Sequence, residues 1–347
     1  QVKRLKIGLV LLPLSLIAMM IVIGLLSQDS PPIESEGLST EEHQTLYDTE
    51  ENGIHALEEA MSEIIRPEKA LQQELDALKT SSDASDATRD YVAKYQDALK
   101  KARDGLQAEY LIGPPFLMKQ IPSWLSDVRS LARLFMYHGH IKRIDGDYSG
   151  MVDEYLNALF TGQSVTEAGL LIDSMVSVAI ERLALGEIYS ALDRLSRADL
   201  SRLIDELQRY QSGVVHIDEI IANEKSFSDE QMKLMQTGIA SRIFSPITRI
   251  ILNRVTVPAI ERSRRSWREG NTILLGTTLR ARVTLYELER DEAPDSLVDV
   301  MNGADIPIDP ITGNTFQYTN RKIFSIGPRP ESVGASAASI IDAKTVF

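Results

Sequence analysis

The run Ile7–Leu26, IGLVLLPLSLIAMMIVIGLL, constrains this chain more than any other feature, because it is 20 residues long and carries no charged side chain. A helix rises ~1.5 Å per residue, so a run of ~20 apolar residues matches the ~30 Å hydrocarbon layer of a bilayer. Lys3, Arg4 and Lys6 precede it, whereas every charged side chain from Asp29 to Glu63 is acidic, with His43 and His55 counted as neutral. That asymmetry is the positive-inside pattern. It predicts a single-pass protein of a bacterial inner (cytoplasmic) membrane, with the residues before the span cytoplasmic and the body periplasmic. A cleaved signal peptide is the competing reading, but its apolar region is normally ~7–15 residues and ends at a small-residue site. Leu25-Leu26-Ser27-Gln28 is a poor one, which favours an uncleaved anchor. Pro13 bends the span slightly, and Ser15, Ala18 and Gly24 form a small-residue face on which another membrane helix could pack closely.

The net charge of -13 argues against a nucleic-acid partner, since a phosphate backbone is held by a clustered positive surface. The chain contains no cysteine, which excludes disulfides, cysteine-ligated zinc, iron–sulfur clusters and thiol nucleophiles. With 43% hydrophobic residues, the part beyond the anchor is long enough to bury a large core.

Residues 28–38, QDSPPIESEGL, read as an extended linker. Ser39 and Glu42 have capping-box spacing, and Leu46, Ile54, Leu57, Met61 and Ile64 predict one helix after them. Pro67 is placed to start a second, and a third is expected from Ser85 to Leu106. The stretch Leu111–Pro122, LIGPPFLMKQIP, is an apolar loop around Phe116, either core filler or a wedge for a membrane interface or partner. Helices recur from Ser123 to His138 and from Tyr148 to Phe160 around an Asp145-Gly146-Asp147 turn. A long helix over Ser164–Leu192 is expected to bury Ile172, Met175, Val176, Ala179, Ile180 and Leu183. Residues 123–210 thus alternate helix and turn in helical-hairpin fashion, without a tetratricopeptide period. Arg242, Arg249, Arg254, Arg262, Arg264, Arg265 and Arg268 make the one basic region of an acidic chain. They either pair with the acidic residues 41–63, or simply remain solvated, or meet anionic lipid or an acidic partner.

From Thr277 the pattern becomes a helix followed by two short β-prone runs, which predicts a small hairpin. The order of Pro294, Ser296 and Leu297, then Pro307, Asp309, Pro310, Thr312 and Gly313, then Phe324, Ser325 and Gly327 resembles the carboxy-terminal module of bacterial type II secretion pseudopilins. It also resembles that of uncharacterised membrane-anchored planctomycete-type proteins. The resemblance covers about 50 residues and implies a helix-plus-hairpin module. The pseudopilin processing signal, a Gly-Phe site with a glutamate five residues into the mature span, is missing before Ile7–Leu26. Pseudopilins often hold calcium near this end, but Asp305 and Asp309 alone supply too few oxygens.

His138 and His140 are the one close histidine pair, and their spacing on a helix points the rings apart. No Gly-rich phosphate loop and no paired carboxylates facing one cleft can be discerned, so no cofactor, metal or catalytic residue is expected. The fold expected is mainly α: anchor 1–27, linker 28–38, an α-helical extracytoplasmic domain 39–270, and a module 271–347 of helix plus β-hairpin. The function expected is non-catalytic, that of a structural or scaffolding subunit or assembly factor among other membrane-protein subunits. Two alternatives stand beside it, an accessory component of a pilus-like or type II secretion machine and an envelope hydrolase or binding protein with a dispersed site. The residues named for contact are Ser15, Ala18, Gly24, Phe116, Arg262, Arg264, Arg265 and Arg268.

Overall fold

A computed structural model describes residues 40–108, 110–114, 121–167, 169–235, 257–301 and 303–325. The span with Ser15, Ala18 and Gly24, the linker 28–38, Ser39, Phe116, Arg242, Arg249, Arg254 and the tail after Ser325 lie outside the described residues. Among the described residues no helix is long and apolar enough to cross a membrane. The protein is mainly helical and ends in a small two-stranded antiparallel sheet.

Helix α1 (Thr40–Tyr47) and α2 (Ile54–Glu63) are separate, where the sequence pattern predicts one helix. Asn52 breaks it. Its side-chain amide donates to the Ile112 carbonyl at 2.8 Å and its oxygen accepts from the Ile112 N–H at 3.0 Å, so a buried side chain stands in for a strand partner. A long-range pairing of this kind leaves no local periodicity to read. An extended stretch then leads to α3 (Lys69–Ala77), with Pro67 ahead of the helix rather than at its first residue. The helix expected over 85–106 is also two, α4 (Asp86–Lys94), capped by Ser85, and α5 (Gln96–Leu106). The joint is Tyr95, whose hydroxyl donates to the Ile65 carbonyl at 3.2 Å and accepts from its N–H at 3.1 Å.

Helices α6 (Ile121–Ile144) and α7 (Tyr148–Gln163) are joined by the predicted turn. Gly146 has φ +80° and Asp147 caps α7 by accepting from the Gly150 N–H at 2.8 Å. Next come α8 (Leu171–Ala191), a 3-10 turn (Leu192–Arg194), α9 (Arg197–Ser212) and α10 (Ile217–Met235). Helix α11 (Val257–Arg290) is 34 residues long and runs straight through position 270, where the sequence suggests a domain boundary. Its Leu274 and Ala281 join the large core containing Leu131, Phe135, Tyr155, Leu159, Ile188 and Leu207. Its Leu275, Leu279 and Val283 join a second core with Leu297, Val300, Met301, Phe316 and Ile323.

That second core sits under α12 (Leu297–Val300) and the hairpin of β1 (Gln317–Thr319) and β2 (Lys322–Phe324), with Tyr318 opposite Ile323. Asn320 and Arg321 both have positive φ, as a two-residue turn between twisted strands requires. The Asp-Pro-x-Thr-Gly segment is an Asx-type turn: Asp309 Oδ1 accepts from the Ile311 N–H at 3.0 Å and the Thr272 hydroxyl at 2.5 Å, and Gly313 has φ +72°. Leu288 is 41% exposed and takes no part in this core.

Two glycines give opposite expectations. A Cβ on Gly105 would stand 2.6 Å from both the Gly53 carbonyl oxygen and Leu57 Cδ1, whereas one on Gly186 meets nothing within 4 Å. Gly105→Ala should cost ~1–3 kcal/mol, and Gly186→Ala, in a helix interior, should stabilise by up to ~1 kcal/mol. Phe316 is 3% exposed, so Phe316→Ala should cost ~3–5 kcal/mol. Urea denaturation of the three variants checks all of these.

Candidate functional site

Helix α8 builds the one interior site with unusual chemistry among the described residues. The sequence is apolar almost all round, and it turns inward only part of the expected face: Ile180 is buried and Val176 packs against the core. Ile172, Met175 and Leu183 are exposed, while Ser174, Ser177, Val178, Glu181, Ala184, Leu185 and Ile188 are buried. The helix also begins at Leu171 rather than Ser164, capped where Asp173 accepts from the Leu170 N–H at 2.8 Å. Small Ser and Ala side chains let neighbouring helices approach, so the face is chosen by size and by hydrogen bonding rather than by hydropathy. A pattern of apolar spacing cannot register that choice.

Glu181 is 4% exposed, and the Tyr210 hydroxyl of α9 donates to its Oε2 at 3.0 Å. Its Oε1 has no hydrogen-bond partner and faces Gly270 of α11, where a Cβ would stand 2.7 Å away. Around it, Gln163, Ser174, Ser177, Asn271 and Trp267 line a cavity of about 20 Å³ open to the centre of a water molecule. That volume suits about one water with polar partners and is far below the ~300–1,000 Å³ of ligand pockets. Burial pushes the Glu181 carboxyl from 4.5 up to about 7, against the Tyr210 hydrogen bond and Arg182, which hold it down. Burial likewise pushes Glu224 up to about 7; its Oε2 accepts from the Leu171 N–H at 3.0 Å, fixing the start of α8 from α10.

The other buried carboxylate of note is paired. Burial alone would raise Glu154, but His138 at 3.1 Å and Arg103 at 2.8 Å hold it below its ordinary range. His138 and His140 do face different partners: the ring of His140 meets the Tyr155 hydroxyl at 2.7 Å, and burial lowers its pKa to about 4. Among the described residues no group of three His, Asp or Glu could hold a metal ion.

The named arginines sit on α11. Arg264 bonds Asp218 at 3.1 Å and Glu261 at 3.3 Å, and Arg265 bonds Glu269 at 2.8 Å, so their acids come from α10 and α11 rather than from residues 41–63. Arg262 and Arg268 are exposed and form no ion pair among the described residues. Sequence reasoning missed Glu181, Tyr210 and Glu224. The available signal was Glu181 directly after the uncharged run Ser174–Ile180, a position where a glutamate needs a reason. No protein-family description, curated protein or solved structure matches this chain.

The raised carboxyls carry a sign. A glutamate whose folded pKa lies above its unfolded one binds protons more tightly in the native state, so its stabilising contribution is complete below about 4.5 and is lost as pH rises through about 7. The two glutamates therefore lower stability between those values, while His140, held from 6.5 down to about 4, raises it over the same range. Glu181→Gln should remove one glutamate's share of that pH dependence, read as the difference between urea midpoints of variant and parent across the window.

Proposed function

We propose that this chain is a single-pass, membrane-anchored, non-catalytic structural subunit or assembly factor of a membrane complex, with its helical body on the periplasmic side of a bacterial inner membrane. The observation that carries the reading is Ile7–Leu26 itself, flanked by Lys3, Arg4 and Lys6 on one side and by acidic residues on the other. The body supports it. Its interior carboxylate site has room for a water and not for a substrate, and its remaining buried charges are engaged in holding helices together. A subunit of this kind acts through contact. Within the bilayer the contact is through the small residues Ser15, Ala18 and Gly24, because helices associate in lipid through close packing of small residues.

A second reading, an accessory component of a pilus-like or type II secretion machine, is favoured by the order Pro294, Ser296, Leu297, Pro307, Asp309, Pro310, Thr312 and Gly313 in the carboxy-terminal module. Affinity purification of the full chain from native membranes separates the two. A stoichiometric membrane-protein partner is expected, lost when Ala18 and Gly24 are replaced by leucine; secretion components in its place would select the second reading. Protease added to spheroplasts should digest the body, and protection until the inner membrane is lysed would reverse the topology.

A further inference from the structure

Helix α8 leaves one face to solvent, and that face carries no charge. Ile172, Met175 and Leu183 are 42%, 55% and 50% exposed, and Ala179, Gly186 and Ser190 continue the same stripe at helical intervals. At ~1.5 Å per residue the stripe is about 27 Å long. Single exposed apolar side chains are ordinary on a protein surface, but a continuous stripe of this length marks a contact.

The edge of the stripe is basic. Arg182 binds α11 alongside through the Ser266 carbonyl at 3.2 Å and Glu269 at 2.6 Å. Arg262 lies one turn before Ser266 and Arg265 one turn before Glu269, which puts both on the side of α11 that Arg182 binds. The acids on this side are already occupied, Glu261 by Arg264 and Glu269 by Arg182 and Arg265. In a chain of net charge -13, an uncharged stripe edged by guanidinium groups is complementary to a surface that is apolar beneath and anionic on top.

We infer that the stripe of α8 lies on an anionic bilayer surface, with Ile172, Met175 and Leu183 in the boundary between headgroups and acyl chains and Arg262 and Arg265 on lipid phosphates. The inference rests on the anchored reading above. The 13 residues between Leu26 and Thr40 reach at most ~45 Å at ~3.3–3.6 Å each. A body so tethered meets the bilayer at high effective concentration, and a shallow contact then suffices to orient it.

The chain has no cysteine, so single-cysteine variants of the full chain take an environment-sensitive fluorophore at one place only. Met175→Cys and Leu183→Cys report the stripe, Leu16→Cys the anchor, and Asp97→Cys an exposed control on α5. Each is reconstituted in vesicles of phosphatidylcholine with or without phosphatidylglycerol, with brominated lipid as quencher. Labels at 175 and 183 should shift to the blue and be quenched in the phosphatidylglycerol vesicles, and the label at 97 should not. Arg262→Glu with Arg265→Glu should reduce that quenching to the level of phosphatidylcholine alone while leaving the Leu16 label quenched. Water-exposed labels at 175 and 183 beside a quenched Leu16 label overturn the inference and leave the anchor standing. An unquenched Leu16 label overturns the anchor, and with it the inference unless 175 and 183 are still quenched. Blue-shifted labels that brominated lipid does not quench assign the stripe to a second copy of this chain and overturn the lipid surface.

Discussion

Close approach to the inward face of α8 is the constraint on which the surrounding helices depend. Ser174, Ser177 and Ala184 are small, Gly162 of α7 comes within van der Waals reach of Ile180, and Gly270 of α11 lies over Glu181 and Val178. Larger residues at any of these positions would force the helices apart and forfeit the dispersion contacts that close packing supplies. Ile172, Met175 and Leu183 lie on the opposite side of the helix, away from these contacts.

Three buried glutamates resolve their desolvation in three ways. Glu154 keeps its charge because His138 and Arg103 reach it from α6 and α5. Glu187 is held by Lys79 at 2.9 Å across the helices. Glu181 has only a neutral hydroxyl and a distant guanidinium, and so binds its proton near neutral pH. Identical side chains therefore differ in charge according to what the fold brings within reach, as expected where burial and partner oppose each other.

Much of the architecture was legible in local chemistry. The Asp145-Gly146-Asp147 turn combines a positive-φ glycine with a capping aspartate, whereas the short helix α12 after Ser296 was not expected. The hairpin was legible from its two short β-prone runs, although Leu275 and Leu279, in the part of α11 it packs on, were not. What escaped was set by distant residues. Asn52 breaks a helix because Ile112, 60 residues on, needs its hydrogen bonds, and Tyr95 breaks another for Ile65, 30 residues back. The site at Glu181 assembles from α8, α9 and α11, and its tyrosine and glycine are unremarked in their own segments.

Helix α11 lends two of its faces to two different cores, Leu274 and Ala281 to one and Leu275, Leu279 and Val283 to the other. Fraying the helix from the hairpin end would strip both at once, since its backbone hydrogen bonds are common to them. The module and the body are thereby coupled through one helix, whose melting would open both cores. Cleavage within α11 itself would need both cores to open, so the free energy of exposing it approaches that of opening them together.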